Sequence, residues 1–344
     1  MRILIIRPSS IGDVVMASPM LSVLKTGYPH AHITWLLEDS LVDLLRAHPM
    51  VDEILTWNKK HWKEQWKSGR FFHLFRDILD FRKKMHFSEF DLALEAQGLL
   101  RSRMLAWLSG AKERIGFESK EPGLFLMTRV ISRGPSDKKM SSEYLHMVRK
   151  IGLIPKASFR PYLVVPKDCM ETYRGKLIEK EVRGSYVLLC PFTTRPQKHW
   201  FNDRWAQLAI KFQNQFSLPS VLMGGPADRD SGNKIAESSK GAAINLAGQT
   251  TLGEAMAIVK GASLMVGVDT GLTHMGAAFD VPTVALFGAT CPYLHTHTHN
   301  FVVLYHKLDC SPCKRSPTCN GTFQCMAKIQ VEEVIEAANK VLDS

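Results

Sequence analysis

The stretch Ser9-Ser10-Ile11-Gly12-Asp13-Val14 holds the first acid whose place could do chemistry. An apolar run, Ile3 to Ile6, precedes it and a helical pattern follows, so it lies in a Gly-containing loop between strand and helix. Such loops commonly cradle a phosphate on backbone N–H groups, which a carboxylate would repel. Asp13 therefore has two readings. It compensates the helix dipole from the first turn, worth about 0.3–1 kcal/mol. Alternatively it is a general base at the carboxyl edge of the first strand.

Three later loops carry complementary groups. In Pro191 to Trp200 (PFTTRPQKHW), Thr193 and Thr194 offer hydroxyls while Arg195 and Lys198 offer two cations, a set suited to a diphosphate. In Met223 to Asp230 (MGGPADRD), Gly224-Gly225 admits close backbone approach. Asp228 there either caps the next helix or accepts from a ribose hydroxyl. The D-x-D spacing of Asp228 and Asp230 also matches an acidic metal-binding pattern, with capping the better account. In Val266 to Ala278 (VGVDTGLTHMGAA), a buried strand runs into Asp269-Thr270-Gly271 and a helix of small residues. Thr270, Gly271 and the next N–H groups form either an N-cap or an anion cradle, and His274 sits one turn along on the same side. Capping and phosphate binding are compatible.

Four of the seven cysteines, Cys310, Cys313, Cys319 and Cys325, fall in one short segment with C-x2-C-x5-C-x5-C spacing. Four thiolates suit a structural zinc or iron, and a reduced packed loop is the alternative. His295, His297 and His299 are candidate extra ligands, or part of a solvated loop.

The elements that position these loops alternate strand and helix, the pattern of parallel sheets covered on both faces. In the first half, strands are expected at Arg2 to Ile6, His32 to Leu37, Glu53 to Trp57, Asp91 to Glu95 and Arg114 to Phe117. Helices are expected at Val14 to Lys25 and Ser40 to Ala47. Lys59 to Phe87 reads as a basic insertion leading into an amphipathic helix. In the second half, strands are expected at Tyr186 to Cys190, Ser220 to Met223, Ala243 to Leu246, Leu264 to Val268 and Thr283 to Phe287. Helices follow at Lys167 to Lys180, Trp205 to Phe212, Gly253 to Lys260 and Val331 to Leu342. A fold of class α/β is expected, with two doubly wound, Rossmann-like domains, 1–165 and 166–344, facing a cleft. The last helix, 331–342, is expected to pack back on the first domain. Ligands in such sheets bind at the carboxyl ends of the strands.

The chain of 344 residues exceeds a single core and carries a formal charge of +11, which suits an anionic partner. No signal peptide or membrane-spanning run is visible, so a cytoplasmic place is expected. No G-x-G-x-x-G follows the first strand, which disfavours a dinucleotide oxidoreductase. The basic residues form no recognised nucleic-acid motif, so no nucleic-acid partner is expected.

RPSSIGDVV, TTRPQKHW and GVDTGLTHMGAA, in that order, resemble the ADP-heptose:lipopolysaccharide heptosyltransferases of GT-B type, most nearly those adding the first inner-core heptose. The resemblance covers most of the chain. It implies an inverting transfer from ADP-heptose to a Kdo-bearing lipid A precursor at the inner face of the inner membrane, with no metal needed for catalysis. It makes Asp13 the catalytic base. It gives Thr193, Thr194 and Lys198 the diphosphate and heptose, Asp269 the heptose, and Thr270, Gly271 and His274 the phosphates. It places Asp228 near the ribose and Thr250 near the adenine. On the acceptor side it leaves Arg7, Ser10, Gly12, Lys59, Lys60, Lys63 and Lys67 as candidates for anionic groups. Relatives that glycosylate autotransporter proteins and bind iron keep a protein acceptor in view, as does a second-heptose activity. A silent nucleotide-binding protein on the same fold is disfavoured, because it would not need Asp13, Lys198 and Asp269 together.

Overall fold

The computed structural model describes residues 1–135 and 137–343. The chain forms two compact units. The first comprises residues 1–137 and 141–159, the second residues 138–140 and 160–344.

In the first unit the elements run β1 (Arg2–Ile6), α1 (Ile11–Ala17), α2 (Pro19–Gly27), β2 (His32–Glu38), β3 (Glu53–Trp57), α3 (Lys59–Lys67), α4 (Phe71–Phe87), β4 (Leu92–Glu95), α5 (Leu100–Leu108), β5 (Glu113–Phe117), β6 (Arg129–Ile131) and α6 (Ser142–Lys150). The six strands are all parallel, in the order β3-β2-β1-β4-β5-β6. Ile3 to Ile6 are wholly buried, as a strand covered on both faces requires. The order reverses between β1 and β4, so the loop after β1, which carries Asp13, lies at the switch point where such sheets bind ligands.

The second unit repeats the plan. Its elements are α7 (Lys167–Glu179), β7 (Val187–Cys190), α8 (Asn202–Phe216), β8 (Ser220–Leu222), α9 (Arg229–Ser238), β9 (Ala243–Asn245), α10 (Leu252–Gly261), β10 (Leu264–Val268), α11 (Gly271–Phe279), β11 (Thr283–Phe287), β12 (Phe301–Tyr305), α12 (Gln324–Ala327) and α13 (Val331–Leu342). The parallel order is β12-β11-β10-β7-β8-β9, with its switch between β7 and β10.

Three expectations change. The helix expected from Val14 to Lys25 is two helices, because Pro19 has no N–H to continue α1 and instead starts α2. The helix expected at Ser40 to Ala47 is a short 3-10 segment, Asp39–Leu44. The polar start of the basic insertion is the helix α3, capped by Asn58, whose Oδ1 accepts the His61 N–H at 2.9 Å. The last helix, α13, buries Val331, Val334, Ile335, Ala338 and Val341 in the second unit's core with Trp205 and Leu286.

Close packing of β10 on α11 rests on Gly267. A Cβ there would overlap the Thr273 hydroxyl and press on Cys190 Cβ at 3.1 Å. Thr273 Oγ1 donates to Val268 O at 2.6 Å and fixes the start of the helix. Gly267→Ala is expected to cost about 1–3 kcal/mol by overpacking. Urea unfolding measures it, and an unchanged midpoint would show that the helix moves freely.

Candidate active site

In the first unit the loop leaving β1 is tied down from several sides. Gln97 Nε2 donates to Ser9 O at 3.2 Å, and the Glu38 N–H donates to Pro8 O at 3.0 Å. Asp13 stands in the first turn of α1. Its Oδ2 accepts from the Ser10 N–H at 3.1 Å and from Ser10 Oγ at 2.8 Å, the reciprocal half of a helix cap. Its Oδ1 meets the Arg7 guanidinium at 2.7 Å. Burial raises the Asp13 carboxyl, but the Arg7 charge and the Ser10 hydrogen bonds outweigh it and hold it below its usual value. About a third of the side chain stays open to solvent. The two readings of Asp13 are therefore compatible: the acid caps α1 and keeps an ionised, reachable carboxylate.

The acceptor candidates separate. Arg7 is buried beneath Asp13 and paired with it. Gly12 is buried inside α1, and Ser10 is spent on Asp13. Lys59 pairs with Glu38 at 2.8 Å. Lys60 and Lys63 stand exposed on α3.

In the second unit every strand is parallel, so the loops after β7, β8, β9 and β10 share one sheet edge. That edge carries Thr193, Thr194, Lys198, Asp228, Thr250 and Asp269. Two of them join across 71 residues of sequence: Lys198 Nζ lies 2.6 Å from Asp269 Oδ2. Asp269 Oδ1 faces His274 Nε2 at 3.2 Å, and His274 Nδ1 faces the Tyr293 hydroxyl at 2.7 Å. The Thr290 hydroxyl also donates to Asp269. A carboxylate accepts, so Nε2 carries a hydrogen. Burial raises the Asp269 carboxyl, but the hydrogen bond and charge of His274, with Lys198, hold it well below the usual carboxylate range.

Both His274 nitrogens are thereby engaged within the protein, while the first N–H groups of α11, from Gly271 onward, have no helical acceptor. A cavity of about 190 Å³ opens at Asp269, lined also by Thr290, Cys291, Pro312, Lys138 and Lys314. This arrangement suits an anion at the start of α11 and a polyol beside Asp269.

Asp228 accepts the Gly225 N–H at 2.8 Å and closes the turn Pro226–Asp228; it stands at the N-cap position of α9, but its side chain makes no cap hydrogen bond to that helix. The zinc or iron considered from the cysteine spacing finds no support in the structure. Among the described residues, no three His, Cys, Asp or Glu side chains gather as a metal ion would need. Cys325 is buried in the core, Cys310 is exposed, and all four are free thiols. His297 Nε2 lies 3.3 Å from Met140 O, and His295 bridges to Lys139.

The profile of Glycosyltransferase family 9 (heptosyltransferase) matches residues 78–323, well over half of the chain. This chain belongs to glycosyltransferase family 9. It is a glycosyltransferase of heptosyltransferase type, and the matched span includes Lys198 and Asp269 but begins after Asp13. Lipopolysaccharide heptosyltransferase 1 of Pseudomonas aeruginosa is 27% identical over 334 residues, 94% of this chain and 88% of that protein. A family 9 glycosyltransferase from Veillonella parvula has the same fold, with TM-score 0.83 at 20% identity over 100% of this chain and 97% of that one. So does an E. coli heptosyltransferase solved with ADP-2-deoxy-2-fluoro heptose, with TM-score 0.73 at 22% identity over 98% of each chain. The fold is thus the two-sheet GT-B type of this family.

Thr290, Tyr293, Lys138 and Lys314 escaped the sequence reading. The loop after β11 carries the first two, and the order of the sheet was the only signal for them, since that strand ends at the same edge. In this glycosyltransferase Tyr293 is fully buried, and burial pushes its hydroxyl well above the usual phenol value, so it stays neutral beside His274. Tyr293→Phe leaves His274 Nδ1 buried without its partner and is expected to cost about 1–3 kcal/mol in urea unfolding. An unchanged stability would mean that the ring repacks onto another partner.

Proposed function

We propose that this enzyme transfers L-glycero-D-manno-heptose from ADP-heptose to the Kdo-bearing inner core of a lipopolysaccharide precursor, with inversion at the anomeric carbon. The observation that carries the reading is Asp269, held ionised by Lys198 and His274 beside the open N-terminus of α11. The names of the lipopolysaccharide heptosyltransferase 1 relatives support the acceptor class.

Asp13 takes the proton from an acceptor hydroxyl. The hydroxyl oxygen forms a bond to the anomeric carbon as the bond from that carbon to the diphosphate breaks, and the electron pair leaves with ADP. Lys198, Thr193, Thr194 and the N–H groups from Thr270 and Gly271 onward receive the growing phosphate charge. Asp269 accepts from heptose hydroxyls, and His274 positions Asp269. Asp228 and Thr250 contact the ribose and adenine, and Lys138 and Lys314 join the donor site from the cavity wall. Lys60 and Lys63 meet carboxylates and phosphates of the acceptor. No helix among the described residues is long and apolar enough to cross a membrane. We place the protein peripherally, at the inner face of the inner membrane where its acceptor is anchored.

Incubation with ADP-heptose and Kdo-bearing lipid A is the test, read by mass spectrometry of the lipid. One added heptose is expected. An unchanged lipid mass in the presence of measurable ADP-heptose binding would overturn the acceptor assignment.

A further inference from the structure

The pair α3–α4 is fixed to the first unit on one side and ends in an uncovered aromatic tip on the other. Trp62 holds the pair down, its ring meeting Trp57 edge-on at 5.9 Å and Phe81 at 5.6 Å. Asp77 on α4 accepts from Gln65 Nε2 at 2.9 Å and faces His61 at 3.1 Å, which clamps the two helices together. At the other end Phe71, Phe72 and Phe75 stand 56%, 77% and 59% exposed, at i, i+1 and i+4 of α4. Trp66 of α3, 64% exposed, meets Phe71 edge-on at 5.2 Å. Four large exposed rings at one end of a helix pair are the mark of an interaction site.

Charge says what covers them. Residues 59–84 contain nine lysines and arginines against three carboxylates. The carboxylates are engaged: Asp77 in the clamp, Glu64 4.0 Å from Lys60, and Asp80 3.9 Å from Lys83. Among the described residues no carboxylate lies within ion-pair distance of Lys63, Lys67, Arg70 or Arg76, exposed cations that flank the rings along α3, the turn and α4. Aromatic rings flanked by free cations complement an interface of acyl chains and anionic headgroups. A second copy of the chain is a poorer occupant, since a two-fold contact would set these four cations against their own copies.

We infer that the α3–α4 tip is a docking element for an anionic lipid surface, with Trp66, Phe71, Phe72 and Phe75 entering the interface and Lys67, Arg70 and Arg76 meeting headgroups. The inference rests on the reading above only for the origin of that surface, the membrane that holds a lipid-anchored acceptor.

Co-sedimentation of the full chain with phosphatidylglycerol/phosphatidylethanolamine vesicles tests it, against vesicles of phosphatidylcholine alone. No sugar donor is present, so failure of the transfer reading would leave this result untouched. The chain is expected to partition onto the anionic vesicles, and less as salt rises. Phe72→Ser/Phe75→Ser is expected to lower partition roughly tenfold or more. Arg70→Glu/Arg76→Glu is expected to lower it by about fivefold or more for each cation lost. Circular dichroism and ADP release on detergent-dispersed acceptor should be unchanged in Phe72→Ser/Phe75→Ser. Equal partition on both vesicle types, no partition on either, or full partition by the serine variant would overturn the inference. So would a wild-type dimer that the serine variant turns into a monomer in light scattering, because the tip would then be an interface between copies.

Discussion

Asp13→Asn is expected to lower kcat for heptose transfer by about 10²- to 10⁴-fold, the range for loss of a positioned general base. The amide keeps an oxygen for the Ser10 hydrogen bonds but cannot take a proton or balance Arg7. Arg7, almost fully buried, then keeps its charge without a counter-charge, which is expected to cost about 1–3 kcal/mol in urea unfolding. Rate and stability thus move together in this variant, and Arg7→Gln separates them. That change leaves the carboxylate in place but removes the charge that holds its value down, so burial raises it. In the wild type, Asp13 protonates only below the ordinary aspartate value of about 3.9, so it imposes no acid loss of activity near neutral pH. In Arg7→Gln the acid limb of kcat/KM should move to higher pH. A pH profile that does not move would mean that Arg7 does not control the base.

Lys198→Met is expected to reduce kcat by about 10²- to 10³-fold through loss of a cation at the leaving diphosphate. It also strands Asp269, whose side chain is only 11% exposed. His274 remains to face it, so the stability loss should lie toward the lower end of the roughly 3–5 kcal/mol for breaking a buried pair. The pH dependence has a fixed sign. Asp269 is held low in the folded state, so its stabilisation is complete above the unfolded value of about 3.9 and fades as pH falls below it. The gap between wild type and Lys198→Met should therefore be widest near neutral pH and shrink below about pH 4. Adding Asp269→Asn should cost less than the sum of the single changes, because one interaction is lost once. Strict additivity would show that the two groups do not stabilise one another.

The buried parallel strands were legible because runs such as Ile3 to Ile6 and Leu264 to Val268 are apolar without alternation. The loops that end them were legible for the same reason, since parallel strands bring their carboxyl ends to one edge. Pairings across the sheet were not. Nothing local to TTRPQKHW says that Lys198 grips Asp269, that Thr290 returns to the same carboxylate, or that Tyr293 reaches His274 beside it. Those contacts follow from β7, β10 and β11 lying side by side. Arg7 was a candidate for anionic groups of the acceptor, and nothing in the sequence says that the fold buries it as the counter-ion of Asp13. The helix α3 was hidden because its residues are polar on almost every face and leave only Trp62 and Trp66 as an apolar pair at helical spacing. The cysteine spacing suggested a metal cage, but spacing alone does not fix where side chains converge.

The most direct test of the central claim is ADP release from ADP-heptose, followed with and without Kdo-bearing lipid A. The account predicts rapid release that requires the lipid and collapses in Asp13→Asn. Release undiminished in Asp13→Asn would return that residue to its capping role alone, and ADP-heptose binding without any lipid-dependent release would contradict the proposed acceptor.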